Sequence, residues 1–207
     1  MQSKKRACSI LLIISFFIMT SCATTTLNTV WKDDSYQGQI TNVLVMGVSK
    51  QLVRKRFFED EFVRQLQSHG LSATSSYRIF PSEGMLEKDT ILSKIREMGI
   101  DTLLITRMVD KKTVETYVPG TVYHYAPPRA YGRWHGHYAA SYGAVYEPGY
   151  TITDEVVVLE TNLYDAKSEE IIWSALSETV KEGPEERVIR NFIKLMVKNI
   201  SKTNLIK

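Results

Sequence analysis

Residues 123–150 read YHYAPPRAYGRWHGHYAASYGAVYEPGY, and much of the chain's binding chemistry is concentrated there. The stretch holds seven of the 11 tyrosines, three of the four histidines and one of the three tryptophans. Two chemistries suit it. The first is metal binding through His124, His135 and His137, since imidazole suits Zn, Cu or Ni. On a strand, His135 and His137 would share a face, because side chains alternate with period two. Glu147 is the one acid in the stretch, no cysteine accompanies it, and the spacing matches no closed zinc site. Metal binding therefore stands as the alternative. The second chemistry is recognition through Tyr123, Tyr125, Arg129, Tyr131, Arg133, Trp134, Tyr138, Tyr142 and Tyr146. Tyrosine and tryptophan offer large amphipathic contact area at low side-chain entropy cost. Such a surface suits a protein, the sugar rings of a glycan, or lipid headgroups; the rival reading is a low-complexity loop with no partner.

Catalysis has no comparable foothold, and no enzyme and no cofactor are expected. The sequence contains no G-x-S-x-G elbow, no phosphate loop, no dinucleotide fingerprint and no H-E-x-x-H. Carboxylate pairs such as Asp33–Asp34 and Glu169–Glu170 read as solvated turn residues, and the other acids as surface charges on helices and turns.

The front of the chain is a targeting segment. Lys4, Lys5 and Arg6 precede the short apolar run CSILLIISFFIM (8–19). A membrane span needs roughly 20 apolar residues, so this run is a secretory signal. It ends in IMTSC, which resembles the bacterial lipobox. By that resemblance residues 1–21 are removed and Cys22 receives a diacylglyceryl thioether and an N-acyl chain, a palmitate-type anchor in the membrane. More than one acyl chain makes attachment lasting. Ala23, rather than Asp, follows the lipidated cysteine. By the Gram-negative sorting rule this implies the outer membrane, with the domain facing the periplasm. Cys8 leaves with the signal, so no intrachain disulfide is available and the fold must rest on its core. Removing Lys4, Lys5 and Arg6 from 26 basic residues leaves 23 against 23 acidic ones. The mature chain is then neutral, which gives no support to nucleic-acid binding.

The elements that must carry the aromatic stretch can be read from periodicity. Residues 22–41 are polar and Thr-rich and read as a lipidated tether, with Trp31 and Tyr36 placed to pin its end. One α/β domain spans 42–207. NVLVMGV (42–48) reads as a buried strand. Phe58, Phe62 and Leu66 form a helical stripe over 51–69, with Asp60 and Arg64 as an i,i+4 pair on the polar side. Gly70 and then Leu71 end that helix, and Gly99 and Ile100 end a second helix at 87–98 in the same way. Strands at 71–77 and 102–109 follow each stop, so right-handed crossovers make three parallel strands. Further strands are expected at 111–118, 154–165 and 170–180, the last two joined as a hairpin. A final helix opens at Pro184 and buries Ile189, Phe192, Ile193, Met196 and Ile200. The order is βαβαβββα, a mixed four- or five-stranded sheet with helices packed on it. Residues 119–149 form the far end of a long hairpin, and connections of that length are commonly functional.

Several stretches together resemble a family of proteobacterial lipoproteins built on a conserved domain of unknown function. They are VWKDDSY (30–36), RFFEDEFVRQL (56–66), YVPGTVYHY (117–125), YEPGY (146–150) and LYDAKSEEIIWSALSET (163–179). More distantly, the β-α-β-α layout with GIDTLLITRMVD (99–110) is similar to small α/β domains of envelope proteins such as the TolB N-terminal domain and CsgG. That resemblance implies a non-catalytic binding or adaptor module whose Tyr/Gly/His-rich loop meets an envelope protein or a glycan.

Overall fold

The computed structural model describes residues 25–80, 87–120, 133–139 and 149–206. Its strands are β1 (Thr25–Lys32), β2 (Asn42–Val48), β3 (Ser72–Ser75), β4 (Thr102–Val118), β5 (Tyr150–Asp165) and β6 (Ile171–Val180). Its main helices are α1 (Leu52–Ser68), the single turn α2 (Ser76–Ile79), α3 (Lys88–Glu97) and α4 (Glu185–Ile200). The strands make one mixed sheet in the order β1-β6-β5-β4-β2-β3. The α/β architecture expected from the sequence is present, with six strands rather than four or five.

The additional strand corrects the reading of 22–41 as a tether. Thr25–Lys32 runs antiparallel along β6, with one irregularity between Leu27 and Thr29. A strand at the edge of a sheet buries few side chains, so TTLNTVWK can form one while looking polar. Thr25 is buried, and its hydroxyl lies 3.1 Å from that of Thr179. Tyr36 does act as a pin beyond the end of β1. It packs against the main core and donates its hydroxyl to Asp165 Oδ2 at 3.0 Å. Trp31 stays half exposed.

The parallel core forms as the punctuation predicts. β2 pairs in parallel with β3 on one side and β4 on the other. Gly70 and Gly99 take positive φ, 83° and 61°, where a residue with a Cβ is strained. Each stop is closed by a six-to-one backbone bond: Leu71 N–H donates to Leu66 O, and Ile100 N–H to Ile95 O. The apolar pairs Leu66/Leu71 and Ile95/Ile100 are buried beside those bonds.

Helices α1 and α4 cover one face of the sheet. Val43, Val45, Leu104, Leu163 and Trp173 meet Phe62, Leu66, Phe192, Ile193 and Met196 there. Helix α3 packs on the other face, over Leu44, Phe80 and Ile100. Two further expectations are revised. Residues 102–109 and 111–118 are one strand, interrupted by a bulge between Met108 and Asp110. The last helix buries Val188 and Val197 as well as the expected stripe, and Ile189 only in part.

One consequence of the register positions the site. β6 ends at Val180, opposite Val156, and β2 ends at Val48, opposite Arg107. β4 and β5 run on beyond both, paired among the described residues only with each other, as far as Val118 and Tyr150. They make a two-stranded ribbon that projects from the sheet, with 119–149 at its end.

Candidate functional site

The ribbon changes character along its length. Near its base, Lys111 pairs with Glu155 at 2.9 Å, Lys181 pairs with the same carboxylate, and Lys112 pairs with Glu178 at 2.6 Å. Lys181 and then Lys111 hold the Glu155 carboxyl below its usual range, and Lys112 with Asn28 does the same for Glu178. These pairs are solvent-exposed and contribute little to stability, but they brace β4, β5 and β6 against one another where the ribbon departs.

The outer ribbon is nearly uncharged. Glu115–Val118 and Tyr150–Thr153 contain a single carboxylate, Glu115, and no basic residue. Directly opposed residues share a face, so Val114, Thr116 and Val118 stand with Tyr150 and Ile152. Tyr117 lies on the other face, 66% exposed, and Tyr150 is 60% exposed. The Tyr117 side chain lies over Gly149, where a Cβ would also stand 2.8 Å from the Val118 carbonyl oxygen. The absence of a side chain at 149 is what allows that approach.

Residues 133–139 include a helical stretch at 134–139 and bring Arg133, Trp134, His135, His137 and Tyr138 into one exposed segment. Trp134 is 79% exposed and meets the His135 ring edge-on at 5.7 Å. The strand that would put His135 and His137 on one face is not formed here. They sit on a helical turn, where side chains two apart diverge. Among the described residues no group of three or more His, Cys, Asp or Glu is gathered for a metal ion. His124, Tyr123, Tyr125, Arg129, Tyr131, Tyr142, Tyr146 and the lipidation residue Cys22 lie outside the described residues.

A second cluster escaped the sequence reading. Glu59, expected among the surface charges of its helix, is 0% exposed. Its Oε1 accepts the Gly47 N–H at 2.9 Å and the Ser76 hydroxyl at 2.8 Å, while Oε2 accepts the Tyr77 N–H at 3.1 Å. Lys55 Nζ stands 3.9 Å away. Asp60 beside it accepts from Ser75, Tyr77 and Arg78. Burial raises the Asp60 pKa, but the Tyr77 and Ser75 hydroxyls and the Arg78 guanidinium outweigh it and hold the carboxyl below its usual range. Arg64, expected to pair with Asp60, pairs with Glu61 instead. The cluster joins serines to carboxylates with no imidazole among its bonded partners. Chemically it is an anchor tying α1 to the ends of β2 and β3. The local hint is slight: Glu59 lies one turn before Phe62 and beside the helical stripe, while its partners Gly47, Ser76 and Tyr77 come from other elements.

A cavity of about 560 Å³ opens between α3 and the sheet. Ile91, Leu92, Ile95, Leu103 and Ile105 line it, together with the Lys88–Glu169 ion pair at 2.6 Å.

No protein-family model matches the chain, and no curated protein matches it. Among solved structures it is similar to the PelC dodecamer from Paraburkholderia phytofirmans, at 10% identity over 84% of this chain and 94% of that one, with a TM-score of 0.46. It is similar to lipoprotein GNA1162 from Neisseria meningitidis, at 13% identity over 79% and 99%, TM-score 0.42. It is also similar to a putative neuraminyllactose-binding hemagglutinin homolog from Helicobacter pylori, at 15% identity over 84% and 87%, TM-score 0.32. These structural neighbours thus include a lipoprotein, and scores at this level carry no conclusion about what this chain binds.

Proposed function

We propose that this chain is a lipid-anchored envelope protein that binds a partner and does not catalyse a reaction. Its recognition surface is the Tyr/Gly/His-rich segment 119–149, presented on the β4–β5 ribbon to an envelope protein or a glycan. The observation that carries this reading is the ribbon itself. A scaffold of six strands sends out two strands with exposed Tyr117 and Tyr150 and almost no charge at the far end. Aromatic side chains on a rigid support lose little ordering entropy on contact. The motif at Cys22 supplies the membrane attachment.

Two measurements test the reading together. Metabolic palmitate labelling is expected to mark the wild type and not Cys22→Ala. Replacing residues 121–146 with a short Gly/Ser link in the full chain is expected to leave the melting temperature within about 2 °C, roughly the shift of under 1 kcal/mol in a chain of this size. The same replacement should abolish capture of the partner from solubilised envelope. Unfolding of the replacement variant would show that the segment is structural and not a recognition surface.

A further inference from the structure

The point at which the anchor joins the sheet decides which end of the sheet meets the bilayer. Cys22 precedes Thr25 by three residues, a span of at most about 10 Å. Thr25 pairs with Thr179, Thr179 with Val157, and Val157 with Lys111. This row marks the end of the sheet from which the anchor leaves. The ribbon leaves from the same end and in the same direction. From Lys111 to Val118 it advances seven residues beyond the row, about 23 Å at the usual strand rise. Two strand steps of sheet twist separate β5 from β1, and they reduce the reach along the β1 axis to about 16 Å. With β1 along the bilayer normal, the ribbon therefore extends further than the anchor lets the domain stand off.

From this geometry we propose that the outer ribbon lies in the headgroup layer of the bilayer that holds Cys22, as a second attachment beside the acyl chains. The inference rests on the lipid anchor of the reading above and gives the ribbon strands that carry segment 119–149 a contact of their own, the lipid interface. The side chains suit that place. Tyr150, Ile152 and Val114 are exposed on one face and Tyr117 on the other, and tyrosine is enriched where headgroups meet water because its ring is apolar and its hydroxyl polar. Charge returns where the ribbon would leave the layer: Lys111, Lys112, Asp154 and Glu155 stand at its base, and the two lysines are ion-paired there. A weak interfacial contact gains from an anchor already in the membrane, since linkage raises its effective concentration.

The test uses the full lipidated chain in phosphatidylethanolamine/phosphatidylglycerol vesicles. With Cys22 acylated, a cysteine introduced at Tyr150→Cys or Ile152→Cys is the one free thiol of the mature protein. Ser168→Cys, in the β5–β6 turn at the opposite end of the sheet, is the reference. Each is labelled with an environment-sensitive fluorophore and exposed to doxyl-labelled lipid. At 150 and 152 a blue shift and at least twofold stronger quenching than at 168 are expected. Quenching equal to that at 168 in protein that floats with the vesicles overturns the bilayer contact and leaves the anchor intact. A label shielded from water yet not quenched assigns the ribbon to a protein partner and likewise overturns it. Failure to float at all overturns the anchor, and the contact with it.

Discussion

The Glu59 carboxylate accepts the backbone N–H of Gly47 at 2.9 Å, which ties the middle of α1 to the far end of β2. The same group satisfies the Ser76 hydroxyl and the Tyr77 N–H. Glu59→Ala would leave three donors inside the protein without an acceptor, and an unsatisfied buried group costs about 1–3 kcal/mol. We expect a loss of about 3 kcal/mol or more by urea unfolding. Glu59→Gln, which keeps one acceptor oxygen, should lose less than half of that. Equal midpoints for wild type and Glu59→Ala would show that water replaces the carboxylate without penalty.

Phe192 is 1% exposed on α4, and its ring centroid lies 6.0 Å from that of Phe58 on α1. Truncating a buried phenylalanine removes transfer energy and leaves a cavity. Phe192→Ala should lower stability by about 3–5 kcal/mol. A melting curve that overlays the wild type would mean that α4 is not docked on the sheet.

Tyr36 supplies a pH signature. Burial, and then the hydrogen bond to Asp165, push its pKa up to about 12. An unfolded tyrosine titrates near 10. The folded state therefore holds this proton more tightly than the unfolded state does. The contribution is fully present below pH 10 and is lost as pH rises through about 12. Tyr36→Phe should flatten the fall in stability between pH 10 and 12, read by urea midpoints across that window. An unchanged slope in the variant would place the alkaline transition elsewhere.

The parallel half of the fold was legible because its signals are local. Gly70 and Gly99 mark positive φ, and the stripe through Phe58, Phe62 and Leu66 marks the buried face. β1 was hidden because an edge strand needs no continuous apolar run, and its irregularity between Leu27 and Thr29 breaks the alternation. Glu59 was misread because the code that buries a carboxylate is written elsewhere, in the donors of Gly47, Ser76 and Tyr77. Of the candidate site, the long β4–β5 hairpin could be placed from the sequence. The divergence of His135 from His137 could not, since it depends on whether 134–139 winds as a helix or extends.

The bulge in β4 acts as a frame-setter. Val109 is the extra residue between Met108, opposite Leu159, and Asp110, opposite Val158. Were Val109 to take its own place opposite Val158, each residue after it would change sides, since strand side chains alternate. Glu115 and Tyr117 would then join Tyr150 and Ile152, and Val114 and Val118 would move to the reverse. One unpaired amino acid thus sorts the oily side of the ribbon from its polar side. A single insertion or deletion just beyond it would turn the β4 side chains over against those of β5 and mix the two sides.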